Sequence, residues 1–129
     1  LRVFGFGLDN RVVPEKGVDF LMAHPPKGNI FNTQMFGGYL VWRFNGWKKV
    51  FFHGFSTNIS FFINEYVGFT KDLSSFQQKT KQYQIGAFFT DRFRGNEALI
   101  DVILKSQEWE LVYQDESCLI FYPKMRTAN

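Results

Sequence analysis

Polar side chains that could do chemistry follow three predicted strands of this sequence. Asn32 ends one short apolar run, His53 follows a second, and Asp91 comes after a third, beside Thr90. Because ligands of open parallel sheets bind beyond the carboxyl ends of the strands, these side chains are predicted to share one edge. Arg43 could supply a cation nearby. A histidine beside a carboxylate can act as a base or a ligand, so the sequence predicts a candidate ligand edge here.

The same residues have a second interpretation, as caps and turn residues. Strand ends are polar in most folds of this kind, because the chain leaves the sheet there. Arg92, directly after Asp91, is as able as Arg43 to provide the cation. The residue types therefore identify an edge of the sheet, and both interpretations of that edge stay open.

No metal site, cofactor site or catalytic motif is recognisable in the sequence. The histidines His24 and His53 have no paired cysteines and no ligand-type spacing, so we expect neither a metal nor a cofactor. No serine lies in a Gly-x-Ser-x-Gly turn, and the apolar run around Cys118 predicts a buried small hydrophobe. Asp115 and Glu116 fall in a predicted turn, where their charge is expected to be simply solvated.

The elements predicted to position the candidate edge alternate between strands and helices. Residues 29–54 are predicted as a strand (29–32), a helix that holds Gly37 and Gly38, and a second strand (50–52). A crossover of this kind between neighbouring strands makes them parallel. The remaining strands are predicted over residues 85–90, 109–113 and 118–122, and the short polar turn between the last two predicts an antiparallel hairpin.

Helix starts and buried helix faces are predicted from caps and apolar spacing. Pro14, Asp72 and Asn96 suit the beginnings of three helices, and a short aromatic helix is predicted to end near Tyr66. Apolar positions three and four residues apart mark the inward faces. These positions are Val18, Leu21 and Met22, then Leu73, Phe76, Thr80 and Tyr83, and then Leu99, Ile100, Ile103 and Leu104.

These elements predict one α/β domain spanning residues 1–129, a three-layer sandwich. Its sheet is predicted to be mostly parallel, with about five strands and a C-terminal antiparallel hairpin at one edge. The chain starts at Leu1 rather than Met, which favours a fragment of a longer protein.

Charge and apolar content indicate which partners the chain is expected to have. The net charge is +3 with a pI near 9.1, but the basic residues never form a run, so no nucleic-acid partner is expected. No apolar run approaches the roughly 20 residues of a membrane-spanning helix. The 17 phenylalanines predict an aromatic core, with some left to form an apolar docking patch around Phe55, Phe61 and Phe62.

Several stretches of the chain together resemble one family, the soluble C-terminal domains of bacterial multi-pass membrane proteins of the GT-C glycosyltransferase type. These proteins are relatives of protein mannosyltransferases that use polyprenyl-phosphate sugars. The resemblance continues to the final strands. Its stretches begin with residues 5–9, 14–21, 28–32 and 37–43, and its most specific part holds Gly37, Gly38, Tyr39 and Trp42.

The chain departs from the family pattern in two places. The second strand of the family ends in Ile-Asp-Gly-Arg, whereas here Phe52 is followed by His53, Gly54 and Phe55, so a role of that acid and arginine does not transfer. More remotely, oligosaccharyltransferases hold their acceptor peptide with Trp-Trp-Asp-Tyr-Gly. Residues 35–39 occupy a comparable place but lack Trp-Trp-Asp, so peptide recognition does not transfer either.

The resemblance implies an accessory domain at the extracytoplasmic face of the bacterial inner membrane, not catalytic by itself. Its implied partners are the membrane-embedded part of the same protein and a polyprenyl-phosphate sugar or its acceptor. Two alternatives stay open: a free-standing small-molecule-binding α/β module, and a purely structural interaction domain.

Overall fold

The computed structural model describes residues 14–32, 43–44, 47, 59–91 and 97–124, with the backbone alone for residues 59–63. The predicted strand over residues 50–52 and the glycine pair Gly37 and Gly38 lie outside these ranges. In chain order the described elements are α1 (Glu15–Ala23), β1 (Asn29–Asn32), α2 (Ile59–Thr70), α3 (Leu73–Gln82), β2 (Ile85–Asp91), α4 (Glu97–Ser106), β3 (Trp109–Gln114) and β4 (Cys118–Pro123).

The described strands form one four-stranded mixed sheet in the order β1-β2-β4-β3. β1 pairs with β2 in parallel, with Phe31 opposite Phe88 and Asn32 opposite Phe89. β4 pairs antiparallel with β2, and Asp91 lies opposite Cys118. β3 and β4 form the antiparallel hairpin that the polar turn predicts.

The predicted mostly parallel sheet of about five strands is wrong. Among the described strands one pair is parallel and two pairs are antiparallel. The hairpin causes the difference, because β4 inserts directly beside β2 and pairs with strands on both of its edges. A strand in that position is buried on both faces, and its continuous apolar sequence resembles that of a parallel strand.

β2 is the central strand, and all seven of its residues are buried. Alternate side chains enter two apolar clusters on opposite faces of the sheet. Ala87 and Phe89 join the cluster on the α1 face, with Val18, Leu21, Ile30 and Ile120 among its members. Phe88 joins the cluster under α2, α3 and α4. The helices therefore cover both faces of the sheet.

The face under α2, α3 and α4 is dominated by phenylalanine. Phe31 packs on Phe69 with ring centroids 4.6 Å apart, and Phe88 meets Trp109 edge-on at 4.7 Å. Phe76 stacks on Phe88 at 5.4 Å. Offset and edge-to-face contacts of this kind add stability beyond the apolar area that the rings bury.

The helix termini follow local capping rules. The Asp72 carboxylate accepts a 2.7 Å hydrogen bond from the Ser75 amide, which caps α3 as predicted. α1 begins after Pro14, and the backbone amide of Val18 donates to the Pro14 carbonyl over 3.0 Å.

Three of the residues predicted on inward helix faces are instead exposed. Met22, Leu73 and Leu104 keep 41%, 41% and 55% of their surface. Each lies next to a buried position on its helix, since Leu21, Phe76 and Ile103 are buried within the same turn. Apolar spacing thus found at least one buried position on each helix, but it also included an exposed flanking residue and missed the buried Val102 of α4.

α1 packs closely on the sheet because residue 17 has no side chain. A Cβ at Gly17 would lie 2.5 Å from the Cys118 Sγ and 3.3 Å from the Phe89 ring. The same helix is held at its far end by the hydroxyl of Tyr122, which donates to the His24 carbonyl. The Phe20 ring of α1 packs on the Tyr113 ring in a tilted arrangement, with the ring centroids 5.2 Å apart. The contact at Gly17 therefore fixes how closely α1 approaches β4.

We expect Gly17→Ala to destabilise the fold by about 1–3 kcal/mol, because the added methyl overpacks the α1 face. Urea unfolding of both chains measures the difference. Gln78→Ala is the control, since it changes an exposed residue of α3 to a residue that also favours a helix and should alter stability little. Cys118→Ala should recover part of the loss in a double-mutant cycle. Additive effects at residues 17 and 118 would contradict the contact.

Candidate functional site

The predicted ligand edge contains two buried polar residues on adjacent parallel strands. Asn32 ends β1 and Asp91 ends β2, and their residues are 0% and 2% exposed. Asn32 lies opposite Phe89, so Asp91 is one diagonal position further along the same face of the sheet. The structure therefore brings together two of the four residues that the sequence proposed for this edge. A side-chain amide can both donate and accept hydrogen bonds, and a carboxylate can accept them, so these are residue types that can bind a polar ligand.

Thr90 adds a hydroxyl on the opposite face of the same strand end. Its side chain follows Phe88 on the face covered by α2, α3 and α4, and the residue is 0% exposed. The Thr90 Oγ1 is the one buried side-chain oxygen or nitrogen in the described part of the chain that has no hydrogen-bond partner. A buried hydroxyl without a partner costs about 1–3 kcal/mol, so such a group calls for an explanation.

Tyr66 brings a second hydroxyl and a helix terminus to this end of the sheet. Its hydroxyl accepts a hydrogen bond from the Leu99 backbone amide, in the first turn of α4. Burial raises the pKa of Tyr66, and the negative charges of Glu97 and Asp91 raise it further, although the bond from Leu99 acts in the opposite direction. The phenol therefore stays protonated at neutral pH.

Arg43 lies on the same face of the sheet as Asn32 and Asp91. The neighbouring Phe44 packs in the cluster on the α1 face. The Arg43 guanidinium binds the Asp19 carboxylate of α1 at 2.6 Å and approaches the Met22 sulfur at 3.9 Å. This ion pair therefore attaches the segment that contains Arg43 to α1. The Arg43 side chain is partly buried, whereas the Asp19 side chain is exposed.

The other residues proposed from the sequence lie outside the described ranges. They are His53 of the candidate edge and the motif positions Gly37, Gly38, Tyr39 and Trp42. The same holds for Phe55 and for the side chains of Phe61 and Phe62, which were proposed as an apolar docking patch.

A second polar cluster closes the hairpin turn. The Asp115 carboxylate accepts hydrogen bonds from the Ser117 amide at 2.7 Å, the Cys118 amide at 3.1 Å and the Tyr113 hydroxyl at 2.5 Å. Burial opposes ionisation, but these bonds outweigh it and lower the pKa of Asp115. The expectation that this charge is simply solvated is wrong, because the carboxylate organises the turn between β3 and β4.

A third polar cluster joins α2 to the end of α3. The Glu65 carboxylate accepts hydrogen bonds from the Tyr83 hydroxyl at 2.5 Å and the Lys79 ammonium at 3.0 Å. Burial, followed by the bond to Glu65, raises the pKa of Tyr83 to about 12. Burial alone would raise the pKa of Glu65, but the bonds from Tyr83 and Lys79 lower it. These bonds hold the two helices together, and each of the three side chains has a partner within the cluster.

The described residues contain neither a cluster of metal ligands nor a helix suited to crossing a membrane. They contain no group of three or more histidine, cysteine, aspartate or glutamate side chains able to hold a metal ion. No described helix has the length and apolar character needed to cross a membrane.

Comparisons of the chain with protein-family models, with curated proteins and with solved structures found no match.

Sequence reasoning found Asn32, Thr90 and Asp91 but missed Tyr66. The three strand residues could be found because each ends an apolar run. Tyr66 reaches the site from the middle of a helix, and its sequence neighbours carry no signal for that contact. Its position depends on how α2 packs against α4, which a single sequence does not specify.

Thr90→Val should leave the free energy of unfolding unchanged or raise it by about 1 kcal/mol. Valine keeps the shape of threonine and removes a hydroxyl that has no partner. Thr90→Ser is the matched control, since it keeps the hydroxyl and loses a buried methyl, at a cost of about 1 kcal/mol. Urea denaturation without ligand measures both variants. A large loss for Thr90→Val would mean that the hydroxyl is already bound within the chain.

Glu65→Gln should lower the melting temperature at neutral pH and flatten its dependence on acid. The folded-state pKa of Glu65 is depressed below 4.5. Its contribution to stability is therefore complete above that pH and is lost as the pH falls through the folded-state pKa. Thermal melts at a series of pH values test this. Asp101→Asn, which breaks the exposed pair with Lys105, is the control and should change little. Equal effects of the two substitutions would refute the role of Glu65.

Proposed function

We propose that this chain is an accessory domain of a membrane glycosyltransferase-like protein, at the extracytoplasmic face of a bacterial inner membrane. It contributes a polar ligand edge and does not perform the transfer itself. The assignment to this class of protein rests on the resemblance of residues 28–32 and 37–43 to such domains. The described structure bears on the nature of the ligand edge.

The observation that carries the ligand-binding part of the proposal is the buried Thr90 hydroxyl without a partner. It lies at the carboxyl end of β2, where Asn32, Asp91 and Tyr66 add an amide, a carboxyl and a phenol. Apolar residues would be more stable at a buried strand end that serves packing alone. A ligand with several hydroxyl groups, such as a sugar, could satisfy the Thr90 hydroxyl, because each of its hydroxyls both donates and accepts.

A second candidate function is a free-standing module that binds another small polar molecule at this edge. The same buried groups favour it, since Asn32, Thr90 and Asp91 do not by themselves select a sugar. The two functions differ in their ligand and not in the location of the site. A ligand titration therefore separates them.

The purified chain should give no sugar transfer when incubated with a polyprenyl-phosphate sugar and candidate acceptors. Transfer from such a donor needs catalytic groups positioned on the donor and acceptor together. Transfer is read from radiolabelled sugar in the acceptor fraction. Turnover by the chain alone would overturn the accessory assignment.

Binding at the edge is measured by nuclear magnetic resonance with a water-soluble, short-chain polyprenyl-phosphate mannose as the probe. Amide signals of Asn32, Thr90 and Asp91 should shift saturably, and Thr90→Val should weaken binding. Asp101→Asn, which changes an exposed side chain of α4, is the control and should bind normally. Binding of other polar metabolites without the sugar phosphate would favour the free-standing module. A saturable response confined to residues remote from the edge would contradict both functions.

A further inference from the structure

The protein encloses the Thr90 hydroxyl completely. The residue is 0% exposed, so a ligand can reach its hydroxyl only after an element that covers it has moved. The hydroxyl has no hydrogen-bond partner, so a polar group that arrived there would find an unused donor and acceptor. A binding role for Thr90 therefore implies that a part of the fold around it opens.

Side chains from one strand and two helices surround this end of β2. Leu119 of β4 lies opposite Thr90 and packs against the cluster under α2, α3 and α4. Leu99 of α4 belongs to that cluster, and Tyr66 of α2 packs against it. Since α4 connects the end of β2 to the start of β3, its first turn lies at the Thr90 end of the sheet. The first turn of α4 is therefore part of the cover.

A hydrogen bond joins α2 to the first turn of α4. The Leu99 backbone amide donates to the Tyr66 hydroxyl, and the charges of Glu97 and Asp91 act on the same hydroxyl. Asp91 directly follows Thr90 in β2. The bond between the two helices therefore lies at the same end of β2 as the enclosed hydroxyl.

The first turn of α4 is the part of this cover that opens at the lowest cost. Glu97 and Ala98 are exposed, whereas Leu99 is buried. The first amides of a helix have no partner within the helix, so the Leu99 amide depends on Tyr66 for its hydrogen bond. Unwinding one turn breaks fewer contacts than moving a whole helix or strand, and helix ends open locally without global unfolding.

We propose that the first turn of α4, residues 97–100, is a gate over Thr90 and that the Tyr66 hydroxyl holds this gate closed. The open gate exposes the Thr90 hydroxyl, and the closed gate shuts the site when no ligand is bound. The inference rests on the proposed function, because it describes how a ligand reaches the same hydroxyl. It assigns Tyr66 a positioning role that requires no contact with the ligand.

Thiol labelling measures the opening without a ligand. Cys118 is the one cysteine of the chain, so Thr90→Cys in a Cys118→Ala background carries a single, enclosed thiol. We expect methyl methanethiosulfonate to label this thiol through local opening, at a rate that changes little at low urea concentrations. Tyr66→Phe should raise the rate about three- to tenfold, the factor that corresponds to the loss of one neutral hydrogen bond.

Tyr83→Phe is the matched control for the labelling. It removes a tyrosine hydroxyl that also bonds between helices, to Glu65 of α2, but at the opposite end of β2. The control should therefore leave the labelling rate unchanged. Urea unfolding of each variant shows that it is folded. Labelling that follows global unfolding in urea, or equal acceleration by Tyr83→Phe and Tyr66→Phe, would overturn the gate.

Hydrogen exchange identifies the element that opens. In a regular helix the amides of Asp101 and Val102 bond the carbonyls of Glu97 and Ala98, so they exchange when the first turn unwinds. In Tyr66→Phe these amides should exchange faster by the same factor as the labelling. Faster labelling with unchanged exchange at these two amides would place the opening elsewhere and refute the gate. Neither measurement uses a ligand, so a failed sugar titration with the expected labelling would contradict the proposed function alone.

Discussion

The structure depends on the burial of β2 between two apolar faces and two neighbouring strands. Every residue of this strand is buried, and its backbone pairs with β1 on one edge and β4 on the other. Such a strand is stable only if each backbone N–H and C=O finds a partner, because an unpaired buried group costs about as much as a lost hydrogen bond. β1 and the hairpin supply these partners, and the helices supply the apolar cover on each face.

This constraint also explains why the carboxyl end of β2 is unusual. Towards that end the apolar residues Phe88 and Phe89 give way to Thr90 and Asp91, yet the burial does not decrease. The chain thus keeps polar groups in a position where apolar side chains would be more stable. Functional sites often contain polar groups that lower the stability of the fold, and a rigid strand holds such groups in fixed positions.

Much of the fold could be predicted because its signals are local. The caps at Pro14 and Asp72 and the polar turn before Cys118 each act within a few residues, and the structure has the predicted elements there. The polar residues that end β1 and β2 were found in the same way. Local signals do not determine which strands become neighbours. The sequence therefore predicted more parallel strand pairs than the described sheet contains.

The remaining features depend on tertiary packing. β4 has the same continuous apolar sequence as a parallel strand because it lies between two strands, and its direction is set by a three-residue connection organised by Asp115. Tyr66 reaches the candidate edge through the packing of α2 on α4. Each of these depends on distances between elements that sequence spacing does not encode.

Residue-resolved hydrogen exchange of the native chain tests the central role of β2 most directly. The amides of Ala87, Phe88 and Phe89 should be among the slowest to exchange, with free energies of exchange that match global unfolding by urea. The amides at the ends of β3 should exchange faster through local opening, since that strand pairs with β4 alone among the described strands. Faster exchange in β2 than in the hairpin would contradict this account of the fold and of the candidate edge built on it.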